Sequence, residues 1–331
     1  MGKAATSVLF GFDFQVNAAI FIMLKNIKEM KAIRLEGEED IDIELSDDSK
    51  ILAQAKAVEK PYDDFSNVTT KLKEALASLS DTQKNHPNIR NLIYITNTPK
   101  PFGERVKSRN FESGVPTVLD YDELPGDLQK KVTRILKDNN LTLDTSKLTI
   151  QTLPFYSKRD EERYKFVYDE IKRFIYRIQR CKVPEDELHR IWVSEIFKNG
   201  TKREKELKLT KEDIIWPIVV MVIKNDDYSD FEIDVANEDV IAEMYAKTIR
   251  NCTERFEFVT KVTSSYSLFQ CSGGEKLKFK EFITEKLPEF YEYFEEDSID
   301  SEYRDSLLKI IIRNIVFEQK KIKDIKAAAN L

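Results

Sequence analysis

The residues best suited to chemistry lie in one short stretch, EGEEDIDIELSDDSKILAQAK, which spans residues 36–56. Its first half is crowded with carboxylates, and its second half ends in Gln-Ala-Lys. Carboxylates placed close together repel one another, so the crowding indicates a compensating cation. Mg²⁺ binds one or two carboxylates and completes its coordination with waters and phosphate oxygens. The stretch therefore predicts a divalent-metal site that could act on a phosphodiester.

The alternation of residues predicts that this stretch is a β-hairpin with one acidic face. Successive residues of a strand point to opposite faces, so even and odd positions separate. Glu39 breaks the alternation, because it is an acid at an odd position. The acids at even positions are Glu36, Glu38, Asp40, Asp42 and Glu44.

Two registers of the hairpin bring the acids and the lysine together. A five-residue turn over 46–50 would place Asp42 opposite Gln54. The same register places Asp40 opposite Lys56, and a shift of two residues would instead place Asp42 opposite Lys56. Directly opposite Cβ atoms are about 4.5–5.5 Å apart, so either register predicts a shared site.

Four short motifs resemble a known nuclease family. The pattern D-I-D-I followed by Q-A-K is similar to the core of PD-(D/E)xK phosphodiesterases, in the branch where Gln replaces the second acid. Together with GFDFQ (11–15), EGEEDIDIE (36–44) and YITNT (94–98), it resembles the nuclease domain of anti-phage effectors from CBASS and Lamassu systems. The resemblance covers residues 8–140. The second half shows no cyclic-nucleotide sensor motif, which favours the Lamassu type.

The resemblance implies a restriction-endonuclease-like α/β fold and an endonuclease activity that cleaves DNA with Mg²⁺ or Mn²⁺. Double-stranded DNA is the expected substrate. It also implies control by subunits of an SMC-like ATPase complex. Asp40 and Asp42 both fall where the family places its metal-binding acid, and the sequence does not choose between them. Lys56 takes the place of the catalytic lysine. The implied site residues are Asp40, Asp42, Gln54, Lys56, Glu36 and Gln15, with Asp40, Asp42 and Gln54 as metal ligands.

The pattern of elements predicts two domains joined by a linker. Helix, strand, strand, helix and strand signals alternate through residues 1–143, as in an α/β domain. The segment 144–158 breaks this pattern, and we interpret it as the linker. Helical periodicity dominates 159–331, including 238–251 and a long last helix over 301–328, and predicts an all-α domain for assembly or partner binding.

The composition limits the classes of function. The chain has 331 residues and a formal net charge of -6, unlike a protein that coats nucleic acid by bulk attraction. DNA contacts must therefore be local, and we expect a homo-oligomer or partner subunits to supply more of them. Three Cys and two His residues lie too far apart in sequence for a zinc site or a His-dependent triad.

Hydropathy predicts neither a membrane span nor a secretory signal. The apolar run at 214–223 is shorter than the roughly 20 residues of a bilayer helix. Only Lys3 flanks the apolar N-terminal segment, and Asp13 interrupts it. We therefore expect a cytoplasmic protein.

Two other interpretations fit the same residues. The chain could be a catalytically silent adaptor whose nuclease-like fold binds nucleic acid or a partner complex, with the acidic face simply exposed to solvent. It could also be a nuclease directed at RNA, since every motif named above would be shared.

Overall fold

The structure is a computed structural model of the chain. It describes residues 3–104, 109–156, 159–178, 183–204, 206–223, 244–245, 247–249, 252, 255–294 and 303–331. Two compact units are present: unit 1 comprises Met1–Phe174 and Glu185–Lys211, and unit 2 comprises Ile175–Pro184 and Glu212–Leu331. Unit 1 is mixed α/β and the described part of unit 2 is helical. The expected α/β class with a helical C-terminal region is thus confirmed.

A seven-stranded mixed sheet forms the centre of the described part of unit 1. Its strands are β1 (Met30–Leu35), β2 (Ile41–Leu45), β3 (Lys50–Lys56), β4 (Ile89–Thr96), β5 (Thr117–Asp120), β6 (Leu148–Thr152) and β7 (Leu209–Thr210). They lie in the order β5-β6-β4-β3-β2-β1-β7. Strands β3, β4 and β6 are parallel to one another, and the remaining neighbours are antiparallel.

All or most of six helices lie in the described part of unit 1. They are α1 (Lys3–Asn26), α2 (Val68–Asn85), α3 (Gly126–Asp138), the short α4 (Asp160–Arg163), α5 (Lys165–Tyr176) and α6 (Glu185–Gly200). Apolar residues of α2 and α3 form one buried cluster with Leu52, Leu92 and Ile150 of the sheet. Helix α1 contacts β1, β2 and β3, and every residue from Phe14 to Leu24 is buried. A helix that is apolar on all sides is expected in such a position.

Helix α1 also meets the length and composition of a membrane span over Thr6–Asn26, which the hydropathy of the sequence had not led us to expect. Its mean hydropathy there is 1.7, and 61% of the apolar window is buried inside the protein. The core helix of a soluble protein meets the same criterion, so this helix alone is weak evidence for a membrane.

The first strand of the predicted hairpin is interrupted by a turn. Strand β1 ends at Leu35 and β2 begins at Ile41, and between them Glu36 adopts a positive φ of 52°. The hairpin register also differs from both predicted registers, because Ile43 pairs with Ile51. The turn between β2 and β3 is shorter than expected, since Asp48 adopts a left-handed conformation with φ 59°.

The predicted linker 144–158 contains strand β6, which is a correction to the expected domain boundary. This strand pairs with both β4 and β5 inside the sheet. Helix α6 contacts β1, and β7 pairs with β1. Residues 185–211 of the predicted helical domain therefore belong to unit 1. Strand β6 is short and flanked by polar turns, so the local sequence resembles a linker. Its pairing partner β4 is distant in the sequence, and local patterns do not show such pairings.

The described residues of unit 2 form helices and connecting segments, with no strand among them. Its helices are α7 (Lys211–Ile223), α8 (Arg255–Leu268), α9 (Glu275–Lys286) and α10 (Arg304–Ala329), with a 3₁₀ helix at Leu287–Tyr293. The ring of Phe258 on α8 packs against Phe290, Tyr293 and Phe294. The predicted last helix is present as α10. Most of the helix predicted at 238–251 lies outside the described residues.

Candidate active site

Asp42 anchors the turn that leads into β2. Its two carboxylate oxygens accept the backbone N–H groups of Glu38, at 2.6 Å, and Glu39, at 3.0 Å. A Cβ atom on Gly37 would lie only 2.1 Å from Asp42 Oδ2, so this close approach requires glycine. Both oxygens of Asp42 are therefore used by the turn. Asp40 is the principal candidate ligand because its carboxylate, unlike that of Asp42, lies beside Gln54 and Lys56.

Asp40 lies next to the end of β3 and meets two other predicted site residues there. Its Oδ2 accepts the backbone N–H of Ala55 at 2.8 Å and lies 4.0 Å from Lys56 Nζ. Its Oδ1 accepts Gln54 Nε2 at 3.2 Å. The side chains of Asp40 and Lys56 are 20% and 27% exposed, so both are open to a bound molecule. The acid, the amide and the ammonium thus share one place.

Gln54 is held by a buried acid that the sequence analysis left out of the site. Its Nε2 also donates to Glu39 Oε2, and Glu39 is only 4% exposed. Glu39 accepts further hydrogen bonds from the hydroxyls of Ser78, at 2.9 Å, and Thr82, both on α2. The Oε1 atom of Gln54 is buried and has no hydrogen-bond partner within the described part of the chain.

Gln15 on helix α1 supports the turn between β1 and β2, partly through Glu36 in that turn. Gln15 Nε2 donates to Glu36 Oε1 and to the backbone carbonyl of Asp40, both at 2.8 Å. Gln15 is 7% exposed, so these bonds are largely shielded from water. The structure therefore brings Gln15, Glu36, Asp40, Gln54 and Lys56 together, with Asp42 one step removed.

Burial dominates the electrostatics of the two aspartates. It raises the pKa of Asp40 to about 6, and the nearby charges of Glu36 and Glu39 act in the same direction, whereas Lys56 and the Ala55 N–H oppose it. Burial likewise raises the pKa of Asp42 to about 6, against the two backbone hydrogen bonds it accepts. A bound cation would favour the ionised form of Asp40.

A second lysine lies near Lys56. Lys71 on α2 donates from Nζ to the backbone carbonyl of Ala57 at 2.8 Å. Burial lowers the pKa of Lys71, and the charge of Lys56 lowers it further. Two ammonium groups held near each other repel unless an anion lies between or beside them, which suits a phosphate backbone.

The donor set fits a hard divalent cation such as Mg²⁺ or Mn²⁺. The unpaired buried Oε1 of Gln54 and the carboxylate of Asp40 are oxygen ligands of the kind these ions take. No group of three or more His, Cys, Asp and Glu side chains within the described residues is arranged to hold a metal. An ion at this site would therefore depend on the amide oxygen and on water in addition to Asp40.

Comparisons with known proteins give no relative for this chain. No protein-family model, curated protein or solved structure matches it. The assignment of a function therefore depends on the geometry of the site.

Two residues of the site were not predicted from the sequence. Glu39 breaks the alternation of the hairpin, and that exception is the signal in the sequence that the residue has another role. Lys71 lies in an ordinary amphipathic helix, and nothing in its local sequence separates it from the exposed lysines beside it. Lys71 reaches the site because helix α2 packs against β3, a contact between segments that are separate in the sequence.

Proposed function

We propose that the chain is a metal-dependent DNA endonuclease of the PD-(D/E)xK type with a restriction-endonuclease-like core. The observation that carries the proposal is the meeting of Asp40, Gln54 and Lys56 at the end of β3. Support also comes from the order of elements α1-β1-β2-β3-α2-β4, in which an antiparallel hairpin presents the acid and the lysine and a helix leads to a parallel strand.

The side chains have separate roles in the proposed reaction. Asp40 and the Oε1 atom of Gln54 would hold Mg²⁺ or Mn²⁺, with Glu36 and Gln15 fixing the turn that carries Asp40. When bound, the ion would supply Lewis-acid stabilisation of the negative charge that develops on the phosphate. Lys56 would orient the attacking water and stabilise the charged phosphoryl group through its ammonium. Lys71 would contact a neighbouring phosphate.

The biological setting is part of the same proposal. The chain would be the effector of a bacterial anti-phage defence complex in the cytoplasm, controlled by subunits of an SMC-like ATPase complex or by homo-oligomerisation. The net charge of -6 supports such control, because an acidic monomer captures DNA poorly. If the purified chain alone degraded plasmid at full rate, this regulated role would be refuted.

The test of catalysis is cleavage of supercoiled plasmid with Mg²⁺ or Mn²⁺, in the presence of the activating partner where one is needed. Lys56→Ala should lower the rate about 100-fold or more, as expected when a group that stabilises the transition state is removed. Lys60→Ala is the matched control, because Lys60 is an exposed lysine four residues further along. It should cleave at the wild-type rate.

DNA binding is measured separately with the same proteins and a labelled duplex. Loss of cleavage by Lys56→Ala with binding retained supports the enzyme. Binding without cleavage by any of the three proteins supports the silent adaptor instead. Preference for RNA in a substrate panel would reassign the substrate while leaving the site as described.

A further inference from the structure

Glu39 is the most enclosed acid near the candidate site, and nothing in the proposed reaction uses it. It lies in the turn between β1 and β2 and is 4% exposed, and no lysine or arginine of the described residues forms an ion pair with it. It receives hydrogen bonds from Gln54, Ser78 and Thr82. Burying a carboxylate is costly unless its oxygens are well supplied with donors, and here three donors converge on it.

The contacts of Glu39 determine which way the Gln54 amide points. A glutamine amide has a donating nitrogen and an accepting oxygen, and an ionised carboxylate only accepts. The end of the amide that faces Glu39 and Asp40 must therefore be Nε2. The other end, Oε1, is left buried without a protein donor. Because both atoms belong to one amide group, Oε1 also remains near the carboxylate of Asp40.

We propose that Glu39 is a positioning residue that fixes the Gln54 amide so that its oxygen is presented to the divalent cation. This inference rests on the proposed function, because it requires an ion held at Asp40. Ser78 and Thr82 of α2 fix Glu39 in turn, so helix α2 takes part in the metal site without supplying a ligand. Metal ligands are commonly oriented by such outer hydrogen bonds, and losing one typically weakens metal binding 10–100-fold.

The same arrangement explains why an amide stands at residue 54. A carboxylate there would face two other carboxylates, Glu39 and Asp40, across hydrogen-bond distances. The amide donates to both and keeps one oxygen for the ion. Glu39 thereby turns a neutral and ordinarily weaker ligand into one with a single fixed orientation.

The experiment measures the affinity of the intact chain for Mn²⁺ by electron paramagnetic resonance. Glu39→Met removes the acceptor while keeping the length of the side chain, and should weaken Mn²⁺ binding 10–100-fold. Glu39→Gln retains one acceptor and should lose less. Glu170→Met is the matched control, because Glu170 is also buried, at 1% exposure, and pairs with Lys25. It should bind Mn²⁺ as the wild type does.

A double-mutant comparison separates positioning from general structural damage. If Glu39 acts through Gln54, then adding Glu39→Met to Gln54→Ala should weaken Mn²⁺ binding no further than Gln54→Ala alone. A merely structural role would lower the affinity again in the double variant. Thr82→Val covers the case in which Glu39→Met does not fold, since it removes one donor to Glu39 and should weaken Mn²⁺ binding by a smaller factor.

The outcomes distinguish this inference from the proposed function. Unchanged Mn²⁺ affinity in folded Glu39→Met, or in Thr82→Val if the former does not fold, overturns the role of Glu39 and leaves the metal site standing. Additive losses in the double variant overturn it as well. If Asp40→Ala does not lower the affinity of the wild-type chain for Mn²⁺, no ion is held at this site, and the proposed function fails together with the inference.

Discussion

Replacing Gln54 by Glu should destabilise the protein in the absence of metal, although an acid is the commoner residue at the corresponding position of the proposed family. The Nε2 group of Gln54 donates to two carboxylates, those of Glu39 and Asp40. Hydrogen bonds to charged groups contribute about 1.5–3 kcal/mol each, so losing both should cost roughly 3–6 kcal/mol at pH 8. Below about pH 5 a proton on the new acid restores a donor, and the cost should shrink.

Urea unfolding at pH 8 and pH 5, with EDTA and then with Mn²⁺, measures this effect. Gln151→Glu is the matched control, because Gln151 is a buried glutamine on β6, 3% exposed, whose Nε2 has no hydrogen-bond partner within the described residues. It buries a carboxylate without breaking a hydrogen bond of Nε2. Mn²⁺ should recover stability in Gln54→Glu, which gains a charged ligand, and should not do so in Gln151→Glu.

The reasoning is refuted if Gln54→Glu loses no more stability at pH 8 than Gln151→Glu does. It is refuted in a second way if Mn²⁺ stabilises both variants equally, since the gain would then have nothing to do with this site. Either result would mean that the amide is not locked between the two carboxylates.

Three further predictions concern pH and the scaffold. Because the pKa of Asp40 is about 6 and an ion needs the carboxylate ionised, Mn²⁺ affinity measured by calorimetry should fall about tenfold from pH 7.5 to pH 5; a flat profile would contradict this. Burial lowers the pKa of His189 to about 4, below its ordinary 6.5, so the unfolded chain takes up the proton first and stability is lost as pH falls from about 6.5 towards 4. His189→Gln should therefore show about 2 kcal/mol less loss than the wild type between pH 7 and pH 5 in urea unfolding. Arg34 is 3% exposed and donates to the carbonyls of Lys202, Glu204 and Leu207. At about 1.5–3 kcal/mol for each hydrogen bond of a charged group, Arg34→Met should cost roughly 4.5–9 kcal/mol in urea unfolding and should speed proteolysis near these three residues. Unchanged cleavage there would show that Arg34 does not hold this segment in place.

The sequence predicted that Asp40, Gln54 and Lys56 meet, but not how the backbone brings them together. Alternation placed acids on one face of a hairpin, and Lys56 and Gln54 share a face simply because they are two residues apart. The register depended on turn geometry, which the local pattern left open. Gly37 next to Glu36 was the available signal for the break between β1 and β2, since glycine often marks a turn or a close approach.

Longer-range features could not be predicted from local patterns. Strand β6 is short, and its partner β4 lies far away in sequence, as the bond between Asn91 and Thr149 across 58 residues illustrates. The role of Glu39 depends on hydroxyls of α2 some 40 residues further on. Such contacts depend on how helices and strands pack together, and the local pattern of one sequence does not predict that packing.

The lateness of β6 and β7 in the chain has a consequence during synthesis. When a ribosome has completed only the first 143 residues, β4 still lacks its outer neighbour β6, and β1 still lacks β7 and the cover of α6. Unpaired strand edges invite pairing with other chains. A fragment that stops there should therefore aggregate. The nascent protein needs roughly the next 70 residues, some seconds of translation, before β4 and β1 both have their partner strands.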